Sequence, residues 1–202
     1  MSLPIGKKQV TLILKTASQT EPYQHIMHIR TATNLDQDSI HRVHWSAFAE
    51  SERKMVSKLA VNLLSEQTTP QIVSLVAETE GDVVGHAAFS PVTIGDNKSI
   101  QGYILAPLGV KPDYQARRVG LKLIQHGIQQ LSGMGADILF VYGDPKYYSR
   151  FGFSVDVAEP YVPLYRLEYP FGWQGMALSI FRPEKSSVNI ACVTSLSDPA
   201  LW

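Results

Sequence analysis

The apolar residues at the start of the chain follow first a strand pattern and then a helical one. Residues 28–33, HIRTAT, predict a short strand, and Asn34 follows as a helix cap that Gln37 could reach back to. Two helical faces come next, formed by Ile40, Val43, Ala47 and Phe48 and then by Met55, Leu59 and Leu63. This periodicity predicts two helices with a break near Glu50–Ser51.

From Gln71 onward the pattern becomes strand-like. The run IVSLVAETEGDVVGHAAFSPVTI predicts two strands joined by a turn at Glu80–Asp82. A second turn, GDNK at 95–98, leads to a third run, SIQGYILAPLGV. Three consecutive strands joined by tight turns predict an antiparallel meander.

The second half predicts a long helix, a buried strand, a short helix and the last strands. The buried stripe of the long helix has residues spaced three, four and three apart, namely Leu121, Ile124, Ile128 and Leu131. Gly133 and Gly135 end this helix, and DILFVY at 137–142 is typical of a strand buried on both faces. A short helix with Pro145 in its first turn, a strand beginning GFSV and a last strand at 175–181 follow. The order predicts a mixed α/β fold without internal repeats, and no GxGxxG dinucleotide motif occurs.

Composition and charge narrow the class of protein. The 202 residues suit one domain that is large enough to bury a core. Eighteen basic residues balance eighteen acidic ones without a Lys/Arg run, so we expect no nucleic-acid partner. The apolar run VTLIL is too short for a membrane span or a secretion signal, so no membrane association is expected. The single Cys192 cannot form an internal disulfide, which fits a cytoplasmic location.

The junction before the long helix carries the first candidate chemistry. VKPDYQARRVG, residues 110–120, connects the third strand of the meander to that helix. The first amides of a helix have no intrahelical partner, and the helix dipole adds partial positive charge there. With Arg117, Arg118 and Gly120, the junction could hold a phosphate or pyrophosphate. On these residues alone, an ordinary basic surface loop is the alternative.

Two segments together resemble the GNAT N-acetyltransferase superfamily, and in particular its small bacterial YhbS-like branch. One runs from the strand end LGV through PDYQARRVG into the helix, and the other is GDPKYYSRFGF. The family's loop pattern is (Gln/Arg)-x-x-Gly-x-(Gly/Ala). Gln115 and Gly120 match its first and last positions, whereas Arg118 stands where the family usually has its first glycine. The resemblance is strong over 83–155, looser over 28–80 and faint further on.

The resemblance implies the GNAT acyl-CoA N-acyltransferase fold, with a central, mostly antiparallel sheet flanked by helices, and acetyl-CoA as co-substrate without a metal. It places the pyrophosphate of the coenzyme on the backbone of Gln115, Ala116, Arg117, Arg118, Val119 and Gly120. The pantetheine arm would pair like an added strand with the backbone of Leu108, Gly109 and Val110. The side chains of Leu108 and Val110 are expected in the core. We interpret the Arg118 side chain as pointing outward, toward another phosphate of the coenzyme.

The implied reaction is direct attack of a primary amine on the acetyl thioester. Backbone N–H groups at the end of strand 106–110 can donate to the developing oxyanion. Tyr148 lies in a Tyr-x-x-x-Gly-Phe spacing, and the family's tyrosine at this position commonly points its hydroxyl at the thioester sulfur. We therefore expect Tyr148 to be the catalytic acid that protonates the leaving thiolate. The alternative is a half-buried aromatic that anchors the short helix with Tyr147 and Phe151.

No general base can be identified from the sequence. Four candidates lie in segments that could face the acceptor, namely His44, Glu50, Glu52 and His86. Each candidate has an alternative to the role of base. His86 is then a hydrogen-bonded strand histidine, His44 faces solvent, and Glu50 and Glu52 are solvated charges. Many GNAT enzymes use a water chain or a main-chain carbonyl instead. Three aromatic residues line an acceptor pocket or belong to the core, namely Tyr161, Phe171 and Trp173.

The predicted function is acetyl-CoA-dependent N-acetylation of a small-molecule or peptide amine. The alternative is a non-catalytic acyl-CoA-binding sensor or interaction module with the same fold. We assign residues 27–182 to the acetyltransferase domain, 1–26 to an N-terminal extension with one strand at Gln9–Leu14, and 183–202 to a C-terminal tail. The acceptor and the oligomeric state stay open, although dimers are common in the family.

Overall fold

A computed structural model describes residues 27–96, 99–180 and 186–202 of the chain. The strands are β1 (His28–Thr31), β2 (Val73–Thr79), β3 (Asp82–Ile94), β4 (Gly102–Val110), β5 (Ile138–Tyr142), β6 (Tyr161–Val162), β7 (Trp173–Ala177) and β8 (Val188–Cys192). The α-helices are α1 (Gln37–Ala47), α2 (Arg53–Ser65), α3 (Val119–Gly133), α4 (Pro145–Tyr148) and α5 (Val155–Ala158). The strand expected at Gln9–Leu14 lies outside the described residues.

The strands form one sheet with the order β1-β2-β3-β4-β5-β7, and β8 pairs with β3 away from this path. Neighbours along the path are antiparallel except β4 and β5, which are parallel. The meander of β2, β3 and β4 confirms the prediction for residues 71–110. The fold is therefore mixed α/β with a mostly antiparallel sheet, as expected.

Helices cover both faces of the sheet because the central strands are apolar on both sides. On β2, Leu75 and Ala77 join the core cluster of α3, which includes Leu123. Val76, between them, joins a cluster with Ile40 of α1. The alternation of side chains along one strand thus fixes α3 on one face and α1 with α2 on the other.

Two details of the helices differ from the prediction. The first helical segment begins with a 3-10 turn at Asn34–Asp36, and its cap is Thr33 rather than Asn34. Asp36 accepts a hydrogen bond from the Thr33 backbone N–H at 2.8 Å, which completes a capping box one residue earlier than expected. In α3, Ile124 and Leu131 are fully buried, whereas the other two residues of the predicted stripe, Leu121 and Ile128, are only partly buried.

The strands after β5 were predicted least well. The expected strand at GFSV is wrong, because Ser154 makes only a single bridge to Gly175 and then caps α5 by accepting a hydrogen bond from Val157 N–H. The last predicted strand, at 175–181, is observed as β7 two residues earlier. β6 and β8 were not predicted at all.

The segment 183–202, set apart above as a tail, contributes to the sheet and to its packing. β8 within it pairs with the end of β3, with Val92 opposite Cys192. Further on, the indole of Trp202 lies against that of Trp173, with 6.2 Å between ring centroids. Within the described ranges, no helix is long and apolar enough to cross a membrane.

Candidate active site

The sheet parts between its two parallel strands. β4 and β5 are paired from Gly102 to Leu105, and the pairing ends there. β4 continues to Val110, held by β3 on its other side, with Ala87 opposite Leu108. Among the described strands, none covers the second edge of residues 106–110, so this backbone is free to pair with an extended ligand.

The loop after β4 turns the chain so that α3 begins beside this free edge. Ala116 and Arg118 both adopt left-handed backbone conformations, with φ of 58° and 63°. The Gln115 side chain donates from Nε2 to the Val110 carbonyl at 3.1 Å, which ties the loop to the end of β4. Arg118 is the residue before α3, and its carbonyl accepts the first intrahelical bond from Lys122 at 3.0 Å. The loop therefore presents the unpaired first-turn amides of α3 to the same cleft.

A first cavity of about 400 Å³ lies between this helix start, β4 and the end of α1. Eight of the nine residues predicted to bind the coenzyme line it, namely Leu108, Gly109, Val110, Gln115, Ala116, Arg118, Val119 and Gly120. The ninth, Arg117, is not in the wall, and its guanidinium lies 5.3 Å from the centroid of the Tyr114 ring. The leucine and valine side chains pack against the α3 core cluster.

Gly120 keeps the helix start accessible. An added Cβ at this position would lie 2.7 Å from the Tyr147 hydroxyl of α4. A larger residue would therefore displace the Tyr147 side chain or occupy the space in front of the first-turn amides of α3. The basic side chains of this wall, Arg118 and Arg150, add positive charge to the dipole of α3. The cavity thus combines backbone donors, space and positive charge, the features that suit a phosphate group.

Tyr148 lies further along the same cleft. Asp144 caps α4 by accepting a hydrogen bond from the Lys146 N–H at 2.9 Å. The Tyr148 ring packs against Gly143 and makes edge contacts with Tyr147 and Phe153, at centroid distances of 5.0 and 5.7 Å. Burial, with a smaller contribution from Tyr147, raises the pKa of the Tyr148 hydroxyl well above its usual value. The hydroxyl is therefore protonated at neutral pH.

A second cavity, of about 1110 Å³, contains Tyr148 in its wall and continues from the first. Both cavities share Phe48, Leu108 and Tyr147. The far wall of the second cavity comes from α2, from residues 168–172 and from the end of the chain at Leu196–Trp202. Sequence reasoning did not identify this last segment, because its apolar residues are too few to show a period.

The four candidate bases have different surroundings. His44 is fully buried, so the alternative of a solvent-facing side chain is wrong. Its Nε2 lies 2.7 Å from Nδ1 of His86, and Nε2 of His86 lies 2.9 Å from the Ser74 hydroxyl. Burial lowers the pKa of His44 to about 3 and that of His86 well below its usual value. Both imidazoles are therefore neutral, and neither lines the cleft.

The remaining candidates divide between the cleft, the surface and the core. Glu52 lines the second cavity, whereas Glu50 is exposed and pairs with Arg53 at 2.9 Å. Phe171 also lines the second cavity. Tyr161 and Trp173 are buried against Phe140 and belong to the core. In the described part of the chain, no cluster of three or more His, Cys, Asp or Glu side chains could hold a metal ion.

The fold and the cleft define the class of protein. A mostly antiparallel sheet that parts between two parallel strands, next to the N-terminus of a helix, is the architecture of acyl-CoA-dependent acyltransferases of the GNAT type. A family model described as an acetyltransferase (GNAT) domain matches residues 28–155. The chain belongs to the GNAT acetyltransferase family.

Two curated relatives come from Escherichia coli K12, and both are named uncharacterized N-acetyltransferases. YjhQ is 40% identical over 120 residues, which are 59% of this chain and 65% of YjhQ. YhbS is 30% identical over 130 residues, which are 64% of this chain and 74% of YhbS. The chain thus matches a little under two thirds of YjhQ and about three quarters of YhbS.

Solved structures share the fold. The crystal structure of YhbS from Escherichia coli in complex with CoA has a TM-score of 0.71 at 24% identity and covers 85% of this chain and 92% of its own. A GNAT family acetyltransferase from Brucella melitensis in complex with acetyl-CoA has a TM-score of 0.61 at 32% identity. That match covers 85% of this chain and 98% of the Brucella protein.

Proposed function

We propose that the protein is an acetyl-CoA-dependent N-acetyltransferase in which a primary amine attacks the thioester directly. The observation that carries this proposal is the continuity of the cleft. The α3 amides, the free edge of β4 and the Tyr148 hydroxyl border two adjoining cavities in the order that a phosphate, an extended arm and a thioester require. The two solved relatives described above, which hold CoA and acetyl-CoA, support the same assignment.

In this proposal the first cavity holds the coenzyme. The pyrophosphate accepts hydrogen bonds from the backbone N–H groups of residues 116–120, since that of Gln115 already donates to the Pro112 carbonyl. The space in front of Gly120 admits the pyrophosphate to the helix start. The pantetheine arm pairs with the free edge of Leu108–Val110. These contacts use the backbone, so the loop tolerates an arginine at position 118, where the family pattern given above has its first glycine.

The chemistry needs an oriented thioester, an oxyanion donor and two proton transfers. Alignment of the amine with the thioester supplies much of the rate acceleration. Backbone N–H groups at the end of β4, where Pro107 itself has none, stabilise the oxyanion. An alkylammonium group, with a pKa of about 10.4, loses its proton to water before it attacks. As the C–N bond forms and the C–S bond breaks, the Tyr148 hydroxyl donates a proton to the thiolate, and the proton lost by the attacking nitrogen reprotonates the tyrosinate through solvent. The products are the amide and free coenzyme A.

Calorimetric titration with CoA and acetyl-CoA, combined with an assay of thiol release, tests the proposal. We expect one-site binding of both ligands and thiol release in the presence of an amine. Gly120→Ala should weaken the binding of both ligands at least tenfold, because the new methyl group narrows the gap at the helix start. The matched control is Gly133→Ala, at the far end of the same helix, where an added Cβ would have no neighbour within 4 Å.

The outcomes separate the alternatives. If the wild-type protein binds neither ligand, the proposal is wrong and the family membership describes the fold alone. If both ligands bind but no amine in a broad panel causes thiol release, the non-catalytic acyl-CoA sensor is the better description. Unchanged binding of both ligands in Gly120→Ala would show that the pyrophosphate does not bind at the α3 N-terminus.

A further inference from the structure

The residues that line the second cavity indicate the chemical class of the molecule that binds there. If the coenzyme occupies the first cavity, the acceptor approaches Tyr148 through the second one, because the two meet at Leu108 and Tyr147. The side chains of the second cavity therefore face the acceptor. This argument rests on the acetyltransferase function proposed above.

The charges in the cleft are divided between its two ends. The first cavity has Arg118 and Arg150 in its wall. The second has three carboxylates, those of Glu52, Asp144 and Glu168, and no Lys, Arg or His side chain among its described lining residues. An acceptor with its own carboxylate near the amine would meet like charge here, whereas a simple ammonium ion meets opposite charge.

The apolar part of the second cavity is rich in aromatic rings. Tyr169 and Phe171 form a ring pair with 5.8 Å between centroids, and they are 53% and 60% exposed. Two large rings left exposed on the wall of a cavity indicate a surface for an apolar or aromatic ligand group. Trp202 and Met55 extend this apolar surface on other sides of the cavity.

We infer that the acceptor is an arylalkylamine, a primary amine on a short chain that carries an aromatic ring and no carboxylate. The ammonium group is attracted by the carboxylates before it loses its proton. The ring lies against the Tyr169–Phe171 pair. The preference for a ring is thus set by residues after 155, where the match to the family model ends, whereas two of the three carboxylates, Glu52 and Asp144, lie within the match.

Three commercially available amines test the inference by their kcat/KM in the thiol-release assay. 2-Phenylethylamine has the ring and no carboxylate, phenylalanine adds the carboxylate, and butylamine lacks the ring. Rates are compared after correction for the fraction of unprotonated amine, since the three compounds differ in that fraction. We expect kcat/KM for 2-phenylethylamine to exceed that for either other amine by about tenfold or more.

Variants connect the preference to the wall. Phe171→Ala should reduce the advantage over butylamine, and the double variant Glu52→Gln/Glu168→Gln should reduce the advantage over phenylalanine. In both variants the KM for acetyl-CoA should stay unchanged. Glu159→Gln replaces an exposed glutamate that lines neither cavity, and it is the matched control.

The results distinguish failure of this inference from failure of the proposed function. If phenylalanine or butylamine is the better substrate, the acceptor class is wrong and the acetyltransferase function stands. If the preference for 2-phenylethylamine survives all the variants, the second cavity does not set it and the inference is wrong. If acetyl-CoA binds by calorimetry but no amine causes thiol release, both the acceptor class and the enzymatic function are wrong.

Discussion

Gly109 on β4 has no room for a side chain, because the His44 ring lies against its backbone. A Cβ at this position would be 2.7 Å from Nδ1 and 2.8 Å from Cε1 of His44. The ring is fully buried and hydrogen-bonded to His86, so it cannot easily move away. We expect Gly109→Ala to lower the free energy of unfolding by about 1–3 kcal/mol, measured by denaturant titration.

A double variant tests whether the His44 ring causes the destabilisation expected for Gly109→Ala. His44→Ala removes the ring, so the additional effect of Gly109→Ala in that background should be close to zero. Gly133→Ala, on α3 with open space around it, should be neutral or stabilising by up to about 1 kcal/mol because alanine favours helix. Simple additivity of the two changes at 44 and 109 would show that the contact does not limit position 109.

Tyr148 supports a prediction about rate. Tyr148→Phe keeps the ring that packs against Gly143 and removes only the hydroxyl. We expect kcat to fall by about 100-fold, since a general acid contributes at least that much, with CoA binding nearly unchanged. The comparison variant is Tyr165→Phe, whose hydroxyl bonds to the Ser197 carbonyl outside both cavities. A variant with full rate across the pH range would exclude Tyr148 as the acid.

At the scale of elements, the loop before α3 depends on two left-handed residues. Arg118 has a φ of 63°, a conformation that glycine and asparagine adopt more easily than arginine. Arg118→Gly and Arg118→Asn should therefore keep the loop conformation while they remove a positive charge from the first cavity. We expect both to weaken CoA binding about three- to tenfold, and the difference should shrink at high salt.

Arg118→Lys, which retains the charge, is the control for this pair and should bind CoA nearly as well as the wild type. Calorimetry at two ionic strengths provides the measurement. Tighter binding in Arg118→Gly would mean that the arginine side chain crowds the pyrophosphate rather than contacting a phosphate of the coenzyme.

The long elements could be predicted from the sequence, as could the short elements β1, β5 and α4, but the short strands β6 and β8 could not. The apolar pattern repeats over several periods in α1, α2, α3 and the β2–β4 meander. A chance match of that length is rare, so these elements could be predicted. β6 and β8 are two and five residues long, and they are strands because β6 pairs with β8 and β8 pairs with β3. The segment at Ser154 had a helix-cap signal, a serine followed by an acidic residue, that competed with its apolar pattern.

The same distinction separates the two halves of the site. The first cavity takes most of its wall from residues 108–121, so one motif was enough to predict it. The second cavity collects residues from 48 to 202, and no local pattern reports such an arrangement. The burial of His44 could have been predicted, because His44 lies four residues after Ile40 on the buried face of α1. Its ionisable side chain, next to Trp45, was instead interpreted as one that could face solvent.

The buried histidines make the stability of the whole molecule depend on pH. In the fold, the pKa of His44 is lowered to about 3 by burial and by nearby His41, and that of His86 is lowered by burial and by His44, with Asp36 acting in the opposite direction. The unfolded chain binds protons near pH 6.5 that the fold excludes. The free energy of unfolding should therefore be highest above about pH 7 and fall between pH 7 and 5, by about 2 kcal/mol for His44.

Denaturant titrations from pH 5 to pH 8 test this dependence. His44→Gln removes one buried imidazole and should reduce the slope of stability against pH. The control is His126→Gln, which replaces an exposed histidine on α3. Asp36, paired with Arg30, has a pKa lowered from 3.8 to about 2, so its contribution is lost only as the pH falls through that lower range. An unchanged slope in His44→Gln would contradict the prediction.

In the acetyltransferase reaction proposed above, the three carboxylates of the second cavity also affect turnover. A cationic amine is attracted to Glu52, Asp144 and Glu168 on arrival, but the amide it becomes is neutral and no longer benefits from them. The same wall therefore favours entry of the substrate over retention of the product. An enzyme arranged in this way should show little inhibition by its acetylated product, and it should remain active as that product accumulates around it.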